Sequence, residues 1–99
     1  MTRIFEVMER NAKKVLEELE HAPRARTWDE VHARAIKALN AERALQIVEI
    51  VSSLTDEEIT LLTSLKHPLY GCINLGPAKS IKQKYNLSLR ELRGIIYYI

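Results

Sequence analysis

Three times in this chain a Thr or Ser is followed three positions later by Glu: Thr27 and Glu30, Thr55 and Glu58, Ser88 and Glu91. In that spacing the hydroxyl accepts from the backbone N–H of the Glu. The Glu carboxylate reaches back to the backbone N–H of the capping residue. Two donors that a helix start leaves orphaned are thereby satisfied together. The pairs predict helix starts at Trp28, Asp56 and Leu89. Only three Gly and three Pro interrupt 99 residues, so little opposes helix between those starts. The expected fold class is all-α, with four to five helices in one domain.

Apolar spacing fills in the rest. From Thr2 to about Glu20, Phe5, Met8, Ala12, Val15 and Leu19 recur at alternating steps of three and four, and Ile4 and Leu16 widen the stripe. That is one face of a helix, suited to packing on the chain's own core or on a second copy. Pro23 breaks it. A second helix runs from Trp28 to about Ser53, with Trp28, Val31, Ala35, Leu39, Leu45, Val48 and Val51 as its apolar positions. Asn40 fits either the cap of a new helix or a kink in a long one. Trp28 reads as a core or interface anchor rather than a ligand platform.

A third helix is expected from Asp56 to about Lys66, with Ile59, Leu62 and Leu65 inward, Leu61 nearby, and Pro68 ending it. Leu69 to Gly76 is apolar without helical spacing, which predicts a buried loop or a short strand near Tyr70–Leu75. Pro77 suits the first position of a helix reaching Tyr85, because its missing N–H costs nothing there. The tail Ile95–Ile99 fits a continued helix or a strand, being β-branched and aromatic.

The charge is uneven. From Lys79 onward there are five bases (Lys79, Lys82, Lys84, Arg90, Arg93) against the single acid Glu91, while the rest of the chain holds ten bases and twelve acids. A local basic patch matters more than a small net charge when the partner is a polyanion.

Reactive chemistry is sparse. His21, His32 and His67 share no helical i, i+4 spacing, and Cys72 is the only cysteine, so neither a metal site nor a disulfide is expected. A Cys72/His67 nucleophile pair is conceivable from their proximity in sequence. An apolar loop raises a thiol's pKa, however, and favours a buried, inert Cys. Gly71 and Gly76 lack the spacing and the following Lys-Ser/Thr of a phosphate loop. Glu57 and Glu58 complement a helix dipole without any catalytic role. No enzyme and no cofactor are expected. The N-terminus is charged from Arg3 onward and no apolar run approaches a membrane span, so a cytoplasmic protein without a signal peptide is expected.

The segment Ser80-Ile81-Lys82-Gln83-Lys84-Tyr85-Asn86-Leu87-Ser88 resembles the first helix and turn of a DNA-binding helix-turn-helix. Ile81 and Tyr85 would face the core. Asn86 would take the left-handed backbone of the turn, Leu87 would plug the gap, and Ser88 would cap the second helix. Leu-Thr-x-Glu-Glu at Leu54–Glu58 and the order of elements after it resemble winged helix-turn-helix repressors over about Leu54–Ile99. Lys82 stands where that family usually carries a small Ala, and no wing hairpin is expected after Ile99.

The resemblance implies a division into residues 1–53, N-terminal helices for core and dimerisation, and 54–99, a helix-turn-helix-like portion. It implies double-stranded DNA as partner, with Leu89, Leu92 and Ile96 inward on the second helix. Arg90, Arg93, Gly94 and Tyr97 would face bases, and Lys79, Ser80, Gln83, Lys84 and Ser88 would face phosphates. A transcriptional regulator acting as a homodimer follows, through Phe5, Met8, Ala12, Val15 and Leu19 or through the apolar C-terminal tail. The competing reading is a helical adaptor or inhibitor that binds a larger protein without DNA.

Overall fold

The structure, a computed structural model, describes residues 3–66 and 75–99. It is all-α. The elements are α1 (Arg3–Glu20), α2 (Trp28–Ser53), α3 (Asp56–Ser64), a 3₁₀ turn (Gly76–Ala78), α4 (Lys79–Lys84) and α5 (Leu89–Tyr98), with no strand among the described residues. The chain divides into two compact units, Arg3–Glu49 and, from Ile50, the remainder to Ile99. The division falls inside α2.

In the first unit, α1 closes with the His21 N–H donating to Glu17 O at 3.2 Å, just ahead of Pro23. Thr27 Oγ1 accepts from the Glu30 N–H at 3.2 Å, as a capping residue should, but Glu30 Oε2 takes the N–H of Arg26 at 2.9 Å. The Glu side chain reaches one residue further back than the sequence pattern predicts. Arg34 donates to Pro23 O, which fastens the α1–α2 connection onto the second turn of α2. Helix α2 passes through Asn40 unbroken.

The burial pattern of α2 departs from expectation. Val48 and Val51 are buried, but Trp28 is 86 % exposed, Leu39 65 % and Val31 44 %. The side turned to α1 is built instead from small residues. Ala41 is buried, and Ala41, Ala44, Lys37 and Asn40 share a groove with Ile4, Val7, Met8, Asn11, Ala12 and Val15 of α1. Small side chains let two helix backbones approach closely, and one neighbouring helix can cover only one face. The buried side chains of this unit are Phe5, Ala12, Ala41 and Val48 among the described residues.

The second unit holds the larger core: Val51, Leu54, Leu62, Ala78, Ile81, Leu87, Leu92, Ile95 and Ile96. Its helix α3 starts on a complete capping box. Thr55 Oγ1 accepts from the Glu58 N–H at 3.1 Å, and Glu58 Oε1 accepts from the Thr55 N–H at 2.9 Å. The helix ends at Ser64, where the Leu65 N–H turns back to Leu62 O at 3.2 Å, earlier than the expected Lys66. Leu62 is fully buried, Leu61 and Leu65 are half-buried, and Ile59 is 37 % exposed. Lys66 Nζ donates to Ile99 O at 2.8 Å and ties the end of α3 to the end of the chain.

Pro77 opens a 3₁₀ turn that leads into α4, rather than α4 itself. The tail is helical to Tyr98. The expected strand near Tyr70–Leu75 lies outside the described residues except for Leu75, whose backbone is in the right-handed helical region. His67 and Cys72 also lie outside them. No helix among the described residues is long and apolar enough to cross a membrane, and no three His, Cys, Asp or Glu side chains there come together as a metal site.

Candidate nucleic-acid interface on the C-terminal helices

Between α4 and α5 the chain turns within Asn86, Leu87 and Ser88. Asn86 has φ 52°, the single non-Gly positive φ among the described residues. The Leu87 N–H donates to Lys82 O at 2.9 Å and the Asn86 N–H to Gln83 O at 3.3 Å. These are the two bonds of a Schellman closure, which satisfies carbonyls that the end of α4 leaves open. A left-handed residue must sit between them, and Asn is the side chain that tolerates this best after Gly. Leu87 is then driven into the core, 4 % exposed. Ser88 follows with φ −75° and ψ 163° and caps α5 with a complete box: the Glu91 N–H donates to Ser88 Oγ at 3.1 Å, and the Ser88 N–H to Glu91 Oε1 at 2.9 Å.

Helix α5 has two distinct faces. Leu92, Ile95 and Ile96 are buried completely or nearly so. Arg90, Arg93 and Tyr97 are exposed on the opposite side, and half-buried Gly94 lies between them. Among the described residues the Arg90 and Arg93 side chains make no hydrogen bond or ion pair. A Cβ built on Gly94 would meet nothing within 4 Å. Packing within the chain therefore does not require a glycine there.

Leu89 corrects the sequence reading. It is 57 % exposed rather than inward, and Ile95, which the spacing did not single out, takes the buried place. Leu89 stands in the first turn of α5, at the end of the buried stripe, where more than half of its surface stays open. On α4, Ile81 is buried and Tyr85 half-buried, while Lys79, Ser80, Gln83 and Lys84 are exposed together with Ser88. Lys82, at the position where a small residue was expected, is half-buried.

Lys84 differs from the other exposed bases of α4 and α5 because it is already paired. Its Nζ lies 3.2 Å from Glu58 Oε2 and 5.0 Å from the centre of the Tyr85 ring. The Tyr85 hydroxyl donates to Glu58 Oε1 at 2.7 Å. The Thr55 backbone bond, the Tyr85 hydroxyl and Lys84 hold the Glu58 carboxyl down at about 2, against the desolvation that opposes them. The same carboxylate and the Tyr85 hydroxyl raise the Lys84 pKa. Glu58 is thus both the partner of the capping residue Thr55 at the start of α3 and the anchor of the last turn of α4. Sequence reading found the first role; the second joins residues far apart in the chain, and no local pattern signals it.

Of the residues assigned to dimerisation, Phe5 and Ala12 are buried within the chain and have almost no surface left for a second copy. Met8, Val15 and Leu19 are half-buried. The chain matches no family model, no curated protein and no solved structure.

Proposed function

We propose that this chain is a cytoplasmic, sequence-specific double-stranded-DNA-binding protein, a small transcriptional regulator acting as a homodimer, with α4 and α5 as a helix-turn-helix. The observation that carries this reading is the outward face of α5. Arg90, Arg93 and Tyr97 stand exposed on the side opposite Leu92, Ile95 and Ile96, immediately after a left-handed, doubly capped turn. A recognition helix has to present long donors from its first turns while its other face stays fixed in a core. Arg90 and Arg93 suit the paired acceptors of guanine. Lys79, Ser80, Gln83 and Ser88 suit phosphates, which position the protein without reading sequence. One such helix spans few base pairs, so two half-sites would raise both affinity and specificity.

The test is site selection from a random duplex pool, followed by anisotropy over a salt series. An enriched palindrome, with affinity falling steeply as salt rises, is expected. Arg90→Ala and Arg93→Ala should lose preference for the selected site while keeping much of the non-specific binding. Absence of duplex binding at low salt would remove the reading. A second reading, an adaptor that binds a protein, draws on the exposed Trp28, since Trp is enriched in binding hot spots. Salt-insensitive binding to a protein, with no retention on DNA resin, would favour it.

A further inference from the structure

Helix α2 carries an uncovered apolar face. Trp28, Val31, Ala35 and Leu39 follow one another at steps of three and four, so they line one face of the helix, and Ile36 flanks them. All are exposed, at 86 %, 44 % and 65 % for Trp28, Val31 and Leu39, and 44 % for Ile36. Helix α1 occupies a different side, through Lys37, Asn40, Ala41 and Ala44. An isolated exposed Leu is ordinary, but a continuous stripe headed by a Trp is not.

We propose that a second copy of this chain covers this stripe, with the two α2 helices antiparallel and the two-fold axis near Ala35 and Ile36. The proposal rests on the dimeric reading above and moves the interface from α1 to α2.

Charge supports this occupant and this direction. Asp29 and Arg43 lie on the same flank of the stripe, seven positions before and seven after Ile36. Antiparallel helices bring the same flank of each copy together, so Asp29 of each meets Arg43 of the other, twice over. Parallel helices would instead hold these flanks on opposite sides of the interface, so neither Asp29 nor Arg43 would meet a partner of opposite charge there. The antiparallel arrangement also brings each Trp28 indole nearly level with Arg43 of the other copy, whose guanidinium suits an aromatic face. Area agrees. The four large apolar side chains expose on the order of 500 Å² per copy, or about 1,000 Å² in a pair before any flanking residue is counted, the threshold for a specific interface.

The test combines sedimentation with cross-linking on the full chain. The wild type should be a dimer, and Trp28→Glu and Leu39→Glu should each raise its dissociation constant about 30-fold or more, with helical circular dichroism unchanged. Both positions are exposed, so folding should survive the changes. In a Cys72→Ser background, Ala35→Cys should oxidise to a cross-linked dimer. Trp28→Cys should not, since antiparallel copies would hold those positions about 24 Å apart along the axis. A wild type that stays monomeric overturns the proposal, as does a dimer indifferent to both Glu variants or one cross-linked through Trp28→Cys. A monomer that binds duplex DNA would overturn this interface while leaving the DNA reading in place. A dimer that meets these tests but ignores DNA would support the interface and remove the DNA reading.

Discussion

The Tyr85 hydroxyl donates a 2.7 Å hydrogen bond to Glu58 Oε1, across 27 positions of sequence. The same oxygen accepts the Thr55 N–H that starts α3, so one carboxylate oxygen fastens the beginning of α3 to the end of α4. The turn at Asn86 begins at the very next residue. The orientation of α4, and through it the placement of the turn and of α5, depends in part on this bond.

Tyr85→Phe should therefore cost about 1.5–3 kcal/mol, the usual value of a hydrogen bond to a charged acceptor. The Glu58 pKa is lowered in the folded state from 4.5 to about 2. A depressed carboxyl contributes stability that is fully present above its unfolded value and is lost as pH falls through the folded value. Stability should thus decline between about pH 5 and pH 2, and Glu58→Gln should remove part of that decline while lowering stability at neutral pH. Urea titrations of the three proteins over that range check this. A wild-type slope equal to that of Glu58→Gln would contradict it.

The left-handed backbone at Asn86 gives a second expectation. Asn86→Ala should lose about 1 kcal/mol, because a Cβ without a compensating polar group is disfavoured at positive φ. Asn86→Gly should recover most of that loss. Thermal melts order the three; an Ala variant as stable as the Gly variant would mean that φ is not what the position requires.

What was legible in the sequence was local. The starts of α3 and α5 and the left-handed Asn86 were readable because the residues that decide them lie within four positions of one another. Which face of a helix becomes buried is decided by a neighbour, and there the reading failed. Leu89 has the right spacing for the core but stays 57 % exposed. Trp28 and Leu39 have the right spacing on α2, yet α1 packs on the alanine side. The Glu58–Tyr85 bond was invisible for the same reason. Either residue alone looks ordinary, a helix-start acid and an aromatic on an inward face. The exposed Arg90 and Arg93 followed from periodicity once Leu92 and Ile96 were placed correctly.

Lys84 and Lys79 are both exposed bases on α4, but Glu58 already neutralises Lys84 at 3.2 Å. If α4 lies along a phosphate backbone, Lys79→Ala should reduce the log–log salt slope of duplex binding by about 0.9, the value of one released counterion. Lys84→Ala should change it by less than half as much, because Lys84 has to leave Glu58 before it can reach a phosphate. Equal slopes for the two variants would show that the ion pair does not compete.

Gly94 separates stability from binding. A Gly in the middle of a helix costs about 0.5–1 kcal/mol relative to Ala, and a Cβ at Gly94 meets nothing beyond its own stretch of helix within 4 Å. Gly94→Ala should therefore stabilise the protein by about that amount, read as a higher urea midpoint at unchanged slope. The glycine lies between Arg90, Arg93 and Tyr97 on the face proposed to meet DNA. An added methyl there would hold the helix away from base edges, so the more stable variant should bind its selected duplex more weakly, with non-specific binding nearly unchanged. A variant that is stabilised and binds as tightly as wild type would mean that α5 meets no close-fitting partner on this face.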